Sequence, residues 1–139
     1  MKDERQKTDM DTALMLYEKA EKISENAYAP FSNFKVGAAL MAESGNIYTG
    51  VNVENSSFGA TICAERTAFV KALSEGERTF SAIAVYARGE ESMPCGICRQ
   101  FMYEFAPDID IITGRDKESL NIRKLSELLP SGFRLERSK

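Results

Sequence analysis

Three cysteines and one glutamate carry most of the chemistry this sequence offers. Cys63 opens the run Cys63-Ala64-Glu65-Arg66-Thr67-Ala68, while Cys95 and Cys98 belong to Pro94-Cys95-Gly96-Ile97-Cys98-Arg99-Gln100. The chain has no other cysteine and no histidine. Without histidine there is no Ser-His or Cys-His nucleophile pair and no His-ligated metal site, so the chemistry falls to carboxylates, thiolates, lysines or a bound metal. An odd cysteine count also argues against a disulfide framework.

Each cysteine lies at or near the start of an expected helix, where the positive end of the helix dipole favours thiolate over thiol. Three thiolates converging from two neighbouring helices form a soft, tetrahedral-ready site, and zinc is its expected occupant, one ion per chain. Structural zinc sites normally have four protein ligands; three leave a fourth position open for water. Glu65 follows Cys63 by two residues on the first turn of the same helix. It is close enough to meet that water without ligating the metal. Zinc brings the pKa of such a water to about 7 in favourable sites, an effect weakened by the charge of three thiolates. Arg66 and Arg99, each next to a ligand, are expected to offset that charge from outside the ligand set. The plainer readings are inert buried thiols and solvated arginines. The first is disfavoured because C-x-E and P-C-x-x-C occur together and account for every cysteine.

The elements that must position these residues follow from the apolar pattern. Residues 11–27 place Ala13, Leu16, Tyr17, Ala20, Ile23 and Ala27 at helical spacing, with Asp11 or Thr12 as cap and Pro30 as the limit. Residues 34–42 read as a strand, 43–46 as a turn and 47–53 as the returning strand of a hairpin. Helices are expected over 64–74 and 96–105, buried strands over 82–86 and 110–113, a short strand over 120–123, and a short helix over 125–129 ended by Pro130. This order predicts an α/β fold, a mixed sheet of about five strands between helices on both faces, in three α/β/α layers. Residues 1–139 read as a single domain, with 1–10 frayed.

Composition sets the outer bounds. The length suits one core-forming domain. Net charge is −3, with pI near 5.1, so no basic stripe tracks a phosphate backbone and a nucleic acid polymer is not the expected partner. The opening Met1-Lys2-Asp3-Glu4-Arg5-Gln6-Lys7 has no apolar stretch behind its charges and does not read as a secretory signal. No apolar run approaches the roughly 20 residues needed to cross a bilayer. The expectation is a cytoplasmic protein that does not engage a membrane.

C-x-E followed by P-C-x-x-C resembles the signature of the zinc-dependent deaminases in its three-cysteine variant, and the sequence is similar in particular to the small tetrameric cytidine deaminases. Tyr28-Ala29-Pro30-Phe31-Ser32, then Phe34-Lys35-Val36-Gly37-Ala38-Ala39-Leu40, resembles that family's opening. Asn52-Val53-Glu54-Asn55 resembles its sugar-binding strand, and Leu128-Leu129-Pro130 with Phe133 its C-terminal closure. The likeness runs over about residues 11–133; Phe58 stands where a tyrosine is frequent.

The resemblance implies a cytidine deaminase fold and hydrolytic deamination of cytidine and deoxycytidine to the uridine forms, with release of ammonia, in pyrimidine salvage. It implies Cys63, Cys95 and Cys98 as zinc ligands and Glu65 as proton shuttle, taking a proton from the water and passing protons to N3 and the leaving amine. Asn52 and Glu54, two apart on an expected strand and so on one face, would hold the sugar. Phe34 would pack on the base, and backbone at Ala64 and Cys95 would complete base recognition. Phe133 would cover a neighbouring subunit's site in a homotetramer. No organic cofactor is implied. The rival readings are a deaminase of a related aminonucleoside such as blasticidin S, a nucleic-acid editing domain, and a structural zinc module without activity.

Overall fold

The computed structural model describes residues 8–136. Residues 1–7 of the stretch expected to fray lie outside them, and residues 8–10 are held. Thr8 donates through its backbone N–H and its hydroxyl to Asp110 Oδ2, at 2.7 and 2.8 Å. Asp9 caps the first helix, accepting from the Thr12 amide at 2.8 Å.

That helix, α1, spans Met10–Ser24 and buries Ala13, Leu16, Tyr17 and Ala20. Its cap is Asp9 rather than Asp11 or Thr12, because Asp9 is the residue whose carboxylate reaches back to an orphan first-turn amide. It stops before residue 27, where Asn26 and Ala27 close tighter bonds onto Ile23 and Ser24. The first strand, β1, spans Val36–Ala42 and starts two residues later than expected. Asn33 ahead of it is left-handed, at φ 58°, and Phe34 donates its amide to Ser32 Oγ, so the chain is still turning there. β2 follows at Ile47–Val51. Its expected last residues, 52 and 53, leave the ladder, and Val53 makes isolated bridges to Tyr28 and Ile62.

One turn of 3-10 helix at Phe58–Ala60, not foreseen from the sequence, leads into α2, Ala64–Ser74. Then come β3, Phe80–Ala87; α3, Gly96–Phe105; β4, Asp110–Gly114; β5, Leu120–Lys124; and α4, Leu125–Leu128. The sheet order is β2-β1-β3-β4-β5. Among the strands of the described residues only β3 and β4 pair in parallel, which requires the crossover that α3 supplies. The remaining pairs are antiparallel, so the sheet is mixed, with five strands, as expected.

The two faces carry separate cores. Leu16, Tyr17 and Ala20 of α1 pack with Ala39, Ala82, Ala84 and Ile112 on one side. On the other, α2 and α3 pack Ala68, Phe69, Cys98 and Met102 against Leu40, Ile83, Val85 and Ile111. Two glycines set the layer spacing. A Cβ on Gly37 would lie 2.0 Å from the Ala20 carbonyl oxygen, and one on Gly50 would lie 2.4 Å from the Ala68 amide nitrogen. Helix backbone therefore rests on strand backbone on both faces.

An aromatic cluster fixes α2 relative to α3. Phe69 of α2 has its ring centroid 4.9 Å from Phe80, 6.1 Å from Phe105 and 6.3 Å from Phe101. Such pairs each add about 0.5–1.5 kcal/mol beyond the area they bury. Among the described residues no helix is long and apolar enough to cross a membrane.

Candidate active and metal site

The two helices held together by that cluster begin at the same end of the sheet, and their N-caps are Cys63 and Cys95. Both have extended backbone and neither thiol is engaged as a cap, so the sulfurs are left for other chemistry at the positive ends of the helices. Cys98, inside the first turn of α3, is fully buried, whereas Cys63 is half-buried and Cys95 exposed. The three sulfurs lie within 4.8 Å of one another. A tetrahedral site with Zn–S near 2.3 Å sets its sulfurs about 3.8 Å apart, so this donor set fits one zinc ion with small side-chain rotations.

The charge pattern suits a cation. The Cys63 thiol is drawn down to about 5, chiefly by its hydrogen bond with Cys98, against burial and with help from Arg66. Cys98 is pushed up by that same bond and by burial. The cluster thus yields one thiolate readily and resists losing every proton until a metal joins it, the usual coupling of metal binding to proton release. Arg66 lies against one of the sulfurs: a guanidinium nitrogen is 3.7 Å from Cys63 Sγ and 3.4 Å from the Thr61 carbonyl oxygen. Arg99 works through backbone instead, donating to the carbonyls of Pro94 at 2.7 Å and Leu128 at 2.8 Å.

Glu65 is 4 % exposed, on the first turn of α2. Burial pushes its carboxyl up to about 7, opposed by its own backbone N–H and reinforced by charge on Cys63. A carboxyl that titrates near neutrality suits repeated proton transfer. Ala64, beside it, is fully buried, so its contribution to a ligand would come from backbone.

Asn52 and Glu54 are not on a strand, which corrects the expected extent of β2, but they still act on one side. The Asn52 carboxamide accepts from the Val36 amide at 2.9 Å and donates to the Phe34 carbonyl at 2.8 Å. Glu54 accepts from the amides of Phe31 and Ser32 at 2.9 and 3.2 Å, and from the Ser32 hydroxyl. Together they pin the loop that carries Phe34. Asn52 keeps a second amide hydrogen and Glu54 keeps lone pairs, so neither is exhausted by these bonds.

Phe34 is 39 % exposed and Phe133 is 63 % exposed, so neither is the core plug that phenylalanine usually makes. Sequence reasoning missed Ser32, which anchors Glu54, and Gln100, which donates to the Phe133 carbonyl at 2.7 Å. Gln100 had one signal available: it lies two residues past Cys98, the last ligand of the motif.

Comparison with known proteins gives the same answer. Residues 10–113 match the family described as the cytidine and deoxycytidylate deaminase zinc-binding region. A cytidine deaminase from Halalkalibacterium halodurans is 46% identical over 124 residues, 88% of this chain and 94% of that one. Another, from Sporosarcina psychrophila, is 45% identical over 129 residues, 91% of this chain and 94% of the other. The crystal structure of a cytidine deaminase from Burkholderia pseudomallei superposes with TM-score 0.81 at 43% identity, covering 86% of this chain and 97% of that one. The matched region holds both cysteine-bearing helix starts and the strands β1, β2 and β3 with most of β4, and the chain belongs to the cytidine and deoxycytidylate deaminase zinc-binding family.

Proposed function

We propose that the chain hydrolyses cytidine and deoxycytidine to uridine and deoxyuridine, consuming water and releasing ammonia. The observation that carries this reading is the buried Glu65 carboxyl on the same first turn as a three-sulfur cluster that lacks a fourth protein donor among the described residues. Zinc held by Cys63, Cys95 and Cys98 supplies Lewis acidity toward water, making it a nucleophile near neutral pH.

Everything else falls to the chain's own groups. Glu65 takes the proton from that water as it adds to C4 of the pyrimidine. It passes that proton to N3, then takes the proton of the new C4 hydroxyl and delivers it to the amine, which leaves as ammonia while C4 becomes a carbonyl. Arg66, against Cys63 Sγ, moderates the negative charge of the sulfurs. Phe34 offers a face to the ring, the backbone at Ala64 and Cys95 reads its edge, and Asn52 with Glu54 takes the sugar hydroxyls on the 3′ side, which ribose and deoxyribose share.

The described residues form the body of one domain, and the working particle is a homotetramer in the cytoplasm. Phe133, exposed and tethered by Gln100, reaches a neighbour's site; this is supported by an aromatic that its own core does not cover. Light scattering that found a fully active monomer would remove the shared-site part of this reading.

The direct assay is the ultraviolet change as cytidine becomes uridine, run beside free cytosine. Cytidine is expected to turn over and cytosine to be a very poor substrate, because the sugar's binding energy orients the ring. Equal efficiency on the two would strip Asn52 and Glu54 of their role; no turnover of any cytosine nucleoside would refute the function.

A further inference from the structure

The loop between β3 and α3 delivers Cys95 and is tied to β4 and β5. The chain turns after Ala87, with Gly89 at φ 80° and a bridge between Ala87 and Glu90, and Glu91 then reaches back across the sheet edge. A single oxygen of its carboxylate, Oε2, accepts from the Thr113 hydroxyl on β4, from Asn121 Nδ2 on β5 at 3.0 Å, and from Arg123 NH1 on β5 at 3.1 Å. Arg123 NH1 also donates to Thr113 Oγ1 at 3.3 Å and lies 3.6 Å from Met93 Sδ. Residues 91 and 93 are thus both fixed to the β4–β5 hairpin, immediately ahead of Pro94 and Cys95.

A lone exposed ion pair between Glu91 and Arg123 would hold little. This arrangement differs because Thr113 is fully buried and the acceptor is a carboxylate, which makes the stronger, charge-assisted class of hydrogen bond.

The three sulfurs depend on such a clamp unequally. Cys98 is buried in α3, and Cys63 is half-buried with a guanidinium beside it. Cys95 is exposed and stands ahead of the helix body. Downstream it is fixed by Arg99, whose amide donates to the Cys95 carbonyl at 2.9 Å and whose Nε donates to the Pro94 carbonyl. Upstream, Glu91 and Met93 set the path. We propose that Glu91 is a positioning residue for the metal site: by clamping residues 88–94 to β4 and β5 it holds the Cys95 sulfur in register with Cys63 and Cys98. This rests on the zinc reading and adds a residue outside both cysteine motifs.

The test is the rate of zinc release from purified, zinc-loaded protein to a chromogenic chelator, with thermal unfolding of each variant measured alongside. Loss of a group that orients metal ligands typically costs about 10- to 100-fold in metal affinity. Glu91→Ala is expected to release zinc faster by that order, and Glu91→Gln, which still accepts from Thr113 and Asn121, by less. Glu90→Gln, next door and exposed, should match the wild type. A purely structural role would lower the unfolding midpoint and leave release from the folded protein unchanged, and that result overturns the proposal. If Glu91→Ala does not fold, Asn121→Ala on the exposed side of β5 decides: several-fold faster release supports the clamp and a wild-type rate overturns it. Wild-type protein that binds no zinc would instead overturn the metal reading itself, so the two failures are distinguishable.

Discussion

Glu65 can shuttle protons because of where α2 begins. Cys63 occupies the N-cap, so a residue two positions later lies on the first helical turn, facing the sulfur cluster and closed off from solvent. Burial raises its carboxyl to about 7, where it can both accept and donate without a large driving-force penalty. Glu65→Gln keeps the shape and cannot carry the proton. It should retain zinc and the wild-type unfolding midpoint while kcat falls by at least about 10²–10⁴-fold, the usual scale of general acid–base catalysis. Near wild-type turnover in that variant would reassign the shuttle. The cysteines and Glu65 were legible in the sequence because C-x-E and P-C-x-x-C place scarce residue types at fixed offsets. Ser32, Gln100 and Glu91 were not, because each acts through a contact made 22 to 33 residues away along the chain, which local spacing does not encode.

At the level of elements, the site is held by how closely α2 lies on β2. Gly50 has no side chain, and a Cβ there would meet backbone of α2 at Ala68 N and Ala64 O, 2.4 and 2.6 Å away. Backbone of a packed helix cannot rotate aside as a flexible side chain can, so Gly50→Ala must push α2, with Cys63 and Glu65, off the sheet. The expected cost is about 1–3 kcal/mol, the range for overpacked cores, with faster zinc loss. Gly59→Ala is the matched control, since nothing lies within 4 Å of its added Cβ. Equal unfolding midpoints for the two variants would contradict this view of the layer contact. Helix α2 runs as the sequence pattern predicts because Ala64, Ala68, Phe69 and Ala72 fall on its buried face, whereas α3 keeps its expected bounds with Met102 buried but Ile97, expected inward, exposed at the helix start. The misjudged ends of α1, β1 and β2 lie where side chains replace the ladder: Asp9 at the cap, Ser32 and Asn33 in the turn, and Asn52 bonded to Val36 in place of a strand partner.

For the whole molecule, the sheet acts as a jig that brings two helix starts, 32 residues apart between Cys63 and Cys95, to one point. The three-layer order was legible because the sequence of helix, hairpin and alternating elements admits few packings, and the parallel β3–β4 pair then places α3 as the crossover. The proposed assembly was less legible: Phe31, Phe58 and Phe133 are exposed, and an exposed aromatic sets no symmetry. The central property of this jig is that it loads a metal that the reaction needs. Purified protein should carry one zinc per chain by elemental analysis and convert cytidine to uridine with equimolar ammonia. Removing the metal with a chelator should abolish turnover while the folded sheet remains by circular dichroism, and added zinc should restore it. A folded, metal-free protein that deaminates cytidine at the undiminished rate would contradict the account at its centre.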